Sequence, residues 1–294
     1  MKDILFTGAG VALVTPFKDN KVNYDVLKEL LEFNINNGTK AIIITATTGE
    51  SPTLSDEEHK EAIKFTVDYV NKRIPVIAGT GSNDTEYAVQ LSKYAESVGA
   101  DGLLLVTPYY NKTTQKGLIE HFTYIADNVN IPIILYNIPS RTGVKIEAET
   151  YYELSKHPRI VATKEATGDF SLIAKTRALC GDNLHIYSGE DDQVVPLLSM
   201  GGKGVISALS NIMPKEVNEM CEAFFNGDIK KSSEIQIKNV DIINSLFIEV
   251  NPSPVKTALN LMGYNVGPCR RPLCEMVEEN LEVLKKAMKN HSLI

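Results

Sequence analysis

Short apolar runs rich in Val, Ile and Leu recur along the first two-thirds of the chain, at 11–15, 41–46, 75–79, 102–107, 132–136, 160–164, 185–189 and 204–208. Each is too short for a helix and has the continuous apolar character of a strand buried on both faces. Between them lie amphipathic stretches that open on helix-start signals: Asn23 ahead of 24–36, Ser55-Asp56-Glu57-Glu58 ahead of 62–70, and Asp84 ahead of 88–97. Ser55 with Glu58 three residues on matches a capping box. Eight strand–helix units at a period of roughly 30 residues predict a (β/α)8 barrel. Two doubly wound domains would more often show a linker or a change of rhythm, and no Pro/Gly/Ser-rich linker interrupts the chain. Beyond 208 the pattern turns to helices only, over 214–225, 228–247, 253–262 and 271–289, with Gly227 and Gly263 as stops and Pro252, Pro254 and Pro272 as starts. The first completes the barrel and leaves about three helices as a C-terminal appendage. The expected division is a catalytic barrel over 1–226 and a helical extension over 227–294, used to cover one side of the barrel or to build an oligomer contact.

Composition narrows the function. The 294 residues are 43% hydrophobic and 23% charged, ordinary for a soluble enzyme. A formal charge of -7 without any Lys/Arg block argues against a nucleic-acid surface. Cys180, Cys221, Cys269 and Cys274 show neither CxxC spacing nor the density of a secreted scaffold, so reduced thiols in a cytoplasm are expected. His59, His121, His157, His185 and His291 form no HxH or HExxH pair, so no metal site is expected. The mildly apolar segment 4–17 follows Asp3, contains Gly8 and Gly10 and lacks a basic start, and reads as strand rather than export signal. No apolar run approaches the roughly 18 residues of a membrane span.

Catalytic residues of such a barrel sit at the C-terminal strand ends. These ends are polar: Thr47-Thr48-Gly49-Glu50, Thr107-Pro108-Tyr109-Tyr110-Asn111, Tyr136-Asn137-Ile138-Pro139-Ser140-Arg141-Thr142-Gly143, Lys164, and Ser188-Gly189-Glu190-Asp191-Asp192. Lys164 closes a β-branched strand stopped by Thr167-Gly168, and a lysine there needs a partner or a task. The chemical task available is a Schiff base, for which burial favours the neutral, nucleophilic amine. The plainer alternative is a lysine that reaches the rim or pairs with Glu165, although strand alternation sends Glu165 to the opposite face. Strands five and six should lie about 4.8 Å apart, within reach for Tyr136 to exchange protons with Lys164. Thr47 is a candidate hydroxyl neighbour, and a core tyrosine bonded to backbone is the alternative for Tyr136. Thr47-Thr48-Gly49 offers N–H groups and hydroxyls to a small carboxylate, or simply caps a turn. Arg141 suits a second carboxylate, or a surface ion pair. The acidic run 190–192 disfavours a phosphorylated substrate. Gly201-Gly202-Lys203-Gly204 lacks phosphate-loop spacing and reads as a tight turn into strand eight.

Four motifs, in order, carry a resemblance: Gly10-Val11-Ala12-Leu13-Val14-Thr15-Pro16-Phe17, Thr47-Thr48-Gly49-Glu50-Ser51, Tyr136-Asn137-Ile138-Pro139 and Lys164-Glu165-Ala166-Thr167-Gly168. Nearly the whole chain resembles the pyruvate-dependent class I aldolases of the dihydrodipicolinate synthase and N-acetylneuraminate lyase superfamily. Ser140-Arg141-Thr142-Gly143 and the doubled Tyr109-Tyr110 are similar to the dihydrodipicolinate synthase family, which condenses pyruvate with aspartate semialdehyde in diaminopimelate and lysine biosynthesis. Sialic acid lyases usually lack that arginine.

The resemblance implies that Lys164 forms the imine with pyruvate and that Tyr136, Thr47 and Tyr110 relay protons, Tyr110 reaching in from a neighbouring subunit. Thr47 and Thr48 would hold the pyruvate carboxylate and Arg141 that of the semialdehyde, with Gly189 and Ile206 lining the lysine pocket. It implies neither metal nor organic cofactor, and a homotetramer built from dimers. Ala46 departs from the family's common glycine. Ser51, His59, Asn83 and Tyr109 match the family's lysine-effector site, but Asp56 and Tyr87 replace its usual histidine and glutamate, so weak or absent inhibition by lysine is expected. Two competing readings are another pyruvate aldolase, such as a sialic acid or 2-keto-3-deoxy-sugar acid lyase, and a non-catalytic keto-acid sensor. Arg141 speaks against the first, and an intact proton relay against the second.

Overall fold

A computed structural model describes residues 2–294. Eight parallel strands close into a barrel in sequence order: β1 (Gly8–Ala12), β2 (Ala41–Ile44), β3 (Val76–Gly79), β4 (Gly102–Val106), β5 (Ile133–Asn137), β6 (Ile160–Glu165), β7 (His185–Ser188) and β8 (Gly204–Ser207), with β8 pairing back onto β1. Each is followed by a helix: α1 (Tyr24–Asn36), α2 (Asp56–Val70), α3 (Thr85–Ser97), α4 (Gln115–Asp127), α5 (Ala148–Leu154), α6 (Phe170–Cys180), α7 (Val194–Ser199) and α8 (Pro214–Phe225). The capping box at Ser55 and Glu58 forms on α2, and Asn23 and Asp84 cap α1 and α3 through their side chains.

The first strand begins three residues earlier than its hydrophobic pattern suggests, because three small residues, Gly8-Ala9-Gly10, are in it. A Cβ on Gly10 would stand 2.9 Å from both Phe6 and Ile43, and one on Gly204 would stand 1.9 Å from the Gly8 carbonyl oxygen. Glycine is needed where these strands crowd the barrel interior, and it hides the strand from a propensity reading.

Alternation along the strands makes two apolar layers. One side, with Val11, Ile42, Ile44, Leu103, Leu105 and Leu135, packs under the helices; the other, with Ile43, Ile77, Leu104, Ile134 and Ile206, fills the barrel. Phe6 stacks on Tyr187 at 4.3 Å, and the Tyr187 hydroxyl donates to the Phe6 carbonyl at 2.6 Å, closing the N-terminal end.

Past α8 the chain forms α9 (Ile229–Lys238), α10 (Val240–Leu246), α11 (Ser253–Leu261) and α12 (Glu278–Asn290). The segment predicted as one helix over 228–247 is divided at Asn239, which caps α9 and starts α10. The last helix starts at Glu278 rather than near 271. The preceding stretch instead runs over the barrel, where the Arg270 N–H donates to Glu50 Oε2 at 2.8 Å and its guanidinium pairs with Glu58. Among the described residues no helix is long and apolar enough to cross a membrane.

Candidate active site

β5 and β6 bring Tyr136 and Lys164 into direct register, and the belt continues through Tyr187 on β7. Lys164 is buried, 5% exposed, and its Nζ lies 4.3 Å from the centroid of the Tyr136 ring. The amine therefore sits over the ring face, where the π cloud attracts a cation, rather than at the phenol oxygen. Glu165 points the other way, as alternation requires: Tyr151 on α5 donates to its Oε2 at 3.1 Å. The pairing of Lys164 with Glu165 is thereby ruled out.

A small cleft opens beside Lys164. Thr47 and Thr48 wall it from the turn after β2, Arg141 from the turn after β5, Gly189 from the end of β7 and Ile206 from β8. Seven of the eight residues singled out in the sequence thus converge on one space. The eighth, Tyr110, lies in the loop after β4 at 92% exposure with φ 68°, projecting away from this chain. Ala46 lines an adjoining space with Thr47, Ser51 and Tyr136, not the Lys164 cavity.

Each wall is held by a specific contact. Thr15 Oγ1 donates to the Gly49 carbonyl at 2.7 Å, fixing the Thr47-Thr48-Gly49 turn. Thr107 Oγ1 donates to Thr142 Oγ1 at 2.9 Å, tying the end of β4 to the helical turn Pro139–Thr142 that carries Arg141. Buried Asp191, read from sequence only as a charge against phosphate, takes the Ala208 and Leu209 N–H groups on Oδ2 at 2.9 and 3.0 Å and so fixes the exit of β8. Gly189 leaves room for the lysine: a Cβ there would meet Ala166 Cβ at 2.7 Å and Lys164 Cε at 3.1 Å.

Two wall residues escape a sequence reading. Asn251 and Phe247 come from the C-terminal helical region, and Asn251 Nδ2 donates to Thr48 Oγ1 at 3.0 Å while its carbonyl accepts from Arg141 at 3.3 Å. No local signal marks an asparagine some two hundred positions away from its partner. Glu190, read from sequence only as a charge against phosphate, also lines the cavity, and burial raises its carboxyl to about 7. A buried pair supports the same turn: Lys256 on α11 donates to Glu50 Oε1 at 2.8 Å and to the Thr15 carbonyl at 3.0 Å.

Of the positions that match the family's effector site, Asp56 is engaged within the chain. Lys60 donates to its Oδ2 at 2.6 Å and Tyr87 to its Oδ1 at 3.1 Å. Asn83 donates to the Tyr109 carbonyl at 3.1 Å, and His59 Nε2 lies 2.9 Å from the Gly79 carbonyl oxygen.

The chain is similar to known proteins over nearly its whole length. A 4-hydroxy-tetrahydrodipicolinate synthase of Clostridium novyi (strain NT) is 58% identical over 98% of this chain and 97% of its own length. One of Clostridium tetani (strain Massachusetts / E88) is 58% identical over 99% of each. The structure of a dihydrodipicolinate synthase from Acinetobacter baumannii, described as complexed with pyruvate, superposes with a TM-score of 0.96 at 42% identity, covering 98% of this chain and 100% of that one. The family model described as the dihydrodipicolinate synthetase family matches residues 5–291, and the chain belongs to that family.

Proposed function

We propose that this chain condenses pyruvate with L-aspartate 4-semialdehyde through an imine on Lys164, giving 4-hydroxy-tetrahydrodipicolinate. The observation that carries this reading is the convergence of Lys164, Tyr136, Thr48 and Arg141 on one cavity: an amine, a proton carrier, and two separate places for a carboxylate. A sensor of keto acids needs only one of those places.

Neutral Lys164 Nζ attacks the ketone carbon of pyruvate, and Tyr136, passing protons with Thr47, protonates the departing hydroxyl so that water leaves. Thr48, oriented by Asn251, holds the pyruvate carboxylate with the turn's N–H groups. Loss of a methyl proton converts the imine to an enamine, whose carbon bonds to the aldehyde carbon. The new alkoxide takes a proton from the relay. The substrate's own amine then adds to the imine carbon, and the C–Nζ bond breaks to free the lysine and close the ring.

In this reading Tyr110 of a neighbouring subunit completes the relay in an assembly of dimers, and its exposure supports that role. Residues 1–226 act as the catalytic barrel and 227–294 as an extension that buttresses the site through Asn251 and Lys256. A cytoplasmic setting suits the four unpaired cysteines.

The test is borohydride reduction in the presence of pyruvate, followed by peptide mass mapping. A reduced pyruvate adduct on Lys164 is expected; no adduct, or one on another lysine, overturns the mechanism. For the second substrate, Arg141→Ala should raise the KM for aspartate semialdehyde about tenfold or more and lower kcat while the adduct still forms. An unaltered KM would remove Arg141 from that role.

A further inference from the structure

Two thiols stand beside the contacts that brace the active-site turn. The stretch ahead of the last helix runs over the barrel, where the Pro268 carbonyl accepts from Lys256 at 2.8 Å and the Arg270 N–H donates to Glu50 Oε2 at 2.8 Å. Cys269 lies between those two anchors. Its Sγ accepts from Ser253 Oγ at 3.7 Å, tying the stretch to the start of α11. Close ahead of Ser253 is Asn251, which orients Thr48. Cys274 follows a short way down the chain, and both cysteines border one groove with Ser253 and Lys256.

The chain between the two cysteines turns back on itself. The Leu273 N–H donates to the Arg270 carbonyl at 3.1 Å, so Arg270 to Leu273 is a closed turn with Cys269 and Cys274 as the next pair outward. Facing residues on the arms of such a turn lie about 4.5–5.5 Å apart at Cα, inside the range of about 4.4–6.8 Å that a disulfide spans. The thiols differ in reach. Cys274 is exposed and Cys269 half-buried, whereas Cys180 and Cys221 are buried in the core, out of an oxidant's path. Burial and the Glu50 carboxylate push the Cys269 thiol up to about 11, against the pull of Lys256, so near neutrality it keeps its proton. The first attack on an oxidant therefore falls to Cys274.

We propose that Cys269 and Cys274 are a modification site for peroxide, closing into a disulfide that detaches Cys269 from Ser253 and loosens the hold on pyruvate. The Cys274 thiolate attacks one oxygen of hydrogen peroxide, the O–O bond breaks, and a sulfenic acid forms with release of hydroxide. The Cys269 sulfur then attacks the sulfenic sulfur. The S–S bond forms, the S–O bond breaks, and the departing hydroxide leaves as water with the Cys269 proton. Peroxide is reduced by two electrons and the two thiols are oxidised to one disulfide. With Cys269 drawn across the turn, the bond from Ser253 is lost, and the start of α11 no longer holds Asn251 as firmly against Thr48. The effect on pyruvate rests on the condensation reading given above.

The experiment treats reduced wild type and Cys274→Ser with equimolar hydrogen peroxide and then blocks the remaining thiols with iodoacetamide. Peptide mass mapping reads the linkage, and borohydride trapping reads the pyruvate concentration that half-saturates Lys164. Wild type should show Cys269 joined to Cys274 within one chain, with both thiols recovered by dithiothreitol. While oxidised, its half-saturating pyruvate concentration should rise about twofold or more. Cys274→Ser should match reduced wild type before treatment and stay unchanged after it. Cys269 still open to alkylation after peroxide, a linkage between two chains, or a linked pair whose half-saturation moves by less than about twofold each overturns the proposal. Failure of the reduced wild type to trap pyruvate on Lys164 would instead overturn the condensation reading, and the effect on pyruvate with it, while the mapping would still decide the linkage.

Discussion

Adjacent in the chain, Lys164 and Glu165 end in different surroundings. Strand alternation turns the lysine into the barrel cavity and the glutamate into the layer beneath α5, where it is 3% exposed and bonded by Tyr151. Burial raises the Glu165 carboxyl from its ordinary 4.5 to about 7. The folded state therefore binds this proton more tightly than the unfolded state does. The resulting stabilisation is full below about pH 4.5 and is lost as pH rises through about 7. Glu165→Gln keeps an acceptor for Tyr151 and removes the ionisation. Its melting temperature should gain on the wild type between pH 5 and 8, by an amount equivalent to at most roughly 3 kcal/mol. Parallel stability curves for the two proteins would show that Glu165 does not titrate in this range. The alternation itself was legible in the sequence, since a period of two needs no tertiary information. The raised Glu165 carboxyl was not, because its burial depends on α5 closing over the strand.

At the scale of elements, α11 acts on a turn more than two hundred positions ahead of it. Lys256 and Glu50 are almost fully buried, 2% and 1% exposed at the side chain, and between them bind the Thr15 and Pro268 carbonyls and the Arg270 N–H. Burial draws the Lys256 amine below the usual lysine range, against the pull of the Glu50 carboxylate. Removing one partner leaves the other charge buried without compensation. Lys256→Met should cost about 3–5 kcal/mol in urea unfolding, and a second change, Glu50→Gln, should recover part of that loss. Additive losses in the double variant would deny the coupling. Glu50 was noticed from the sequence only as part of a motif, and Lys256 not at all: an ordinary helical lysine declares its partner only once the helix is docked.

For the whole molecule, the informative residue is Tyr110. A tyrosine 92% exposed beside a site with seven assembled groups makes sense if the reacting unit is larger than one chain. Tyr110→Phe should lower kcat by about tenfold or more with no change in melting temperature, because the side chain contributes little to this chain's own core. Dilution below the dissociation constant of the assembly, followed by sedimentation and assayed in parallel, should lower specific activity together with the loss of oligomer. Constant activity in a fully dissociated sample would exclude a relay across subunits. Lysine is expected to inhibit weakly or not at all. The Asp56 carboxylate is already shared by Lys60 and Tyr87, and Tyr87 presents a phenol instead of a carboxylate to an ammonium group. Substantial inhibition by millimolar lysine in a coupled assay would refute this.

The sequence by itself determined the eight-unit barrel, the face of Lys164 and the strand ends that meet around one space. These follow from local rules: hydrophobic period, helix caps, and the invariant polarity of a (β/α)8 barrel. It missed the start of β1, where close strand approach demands glycine, and the break at Asn239, where the α9 and α10 boundaries meet. Only the tertiary structure decided that Asn251 orients Thr48, that Lys256 braces the Glu50 turn, and that Glu190 lines the cavity with no hydrogen-bond partner for its carboxylate among the described residues. The physical reason is common to all three. Their energies come from burial and from partners distant in sequence, and neither exists until the helices beyond α8 have folded back over the mouth of the barrel or the strand ends have met around one space.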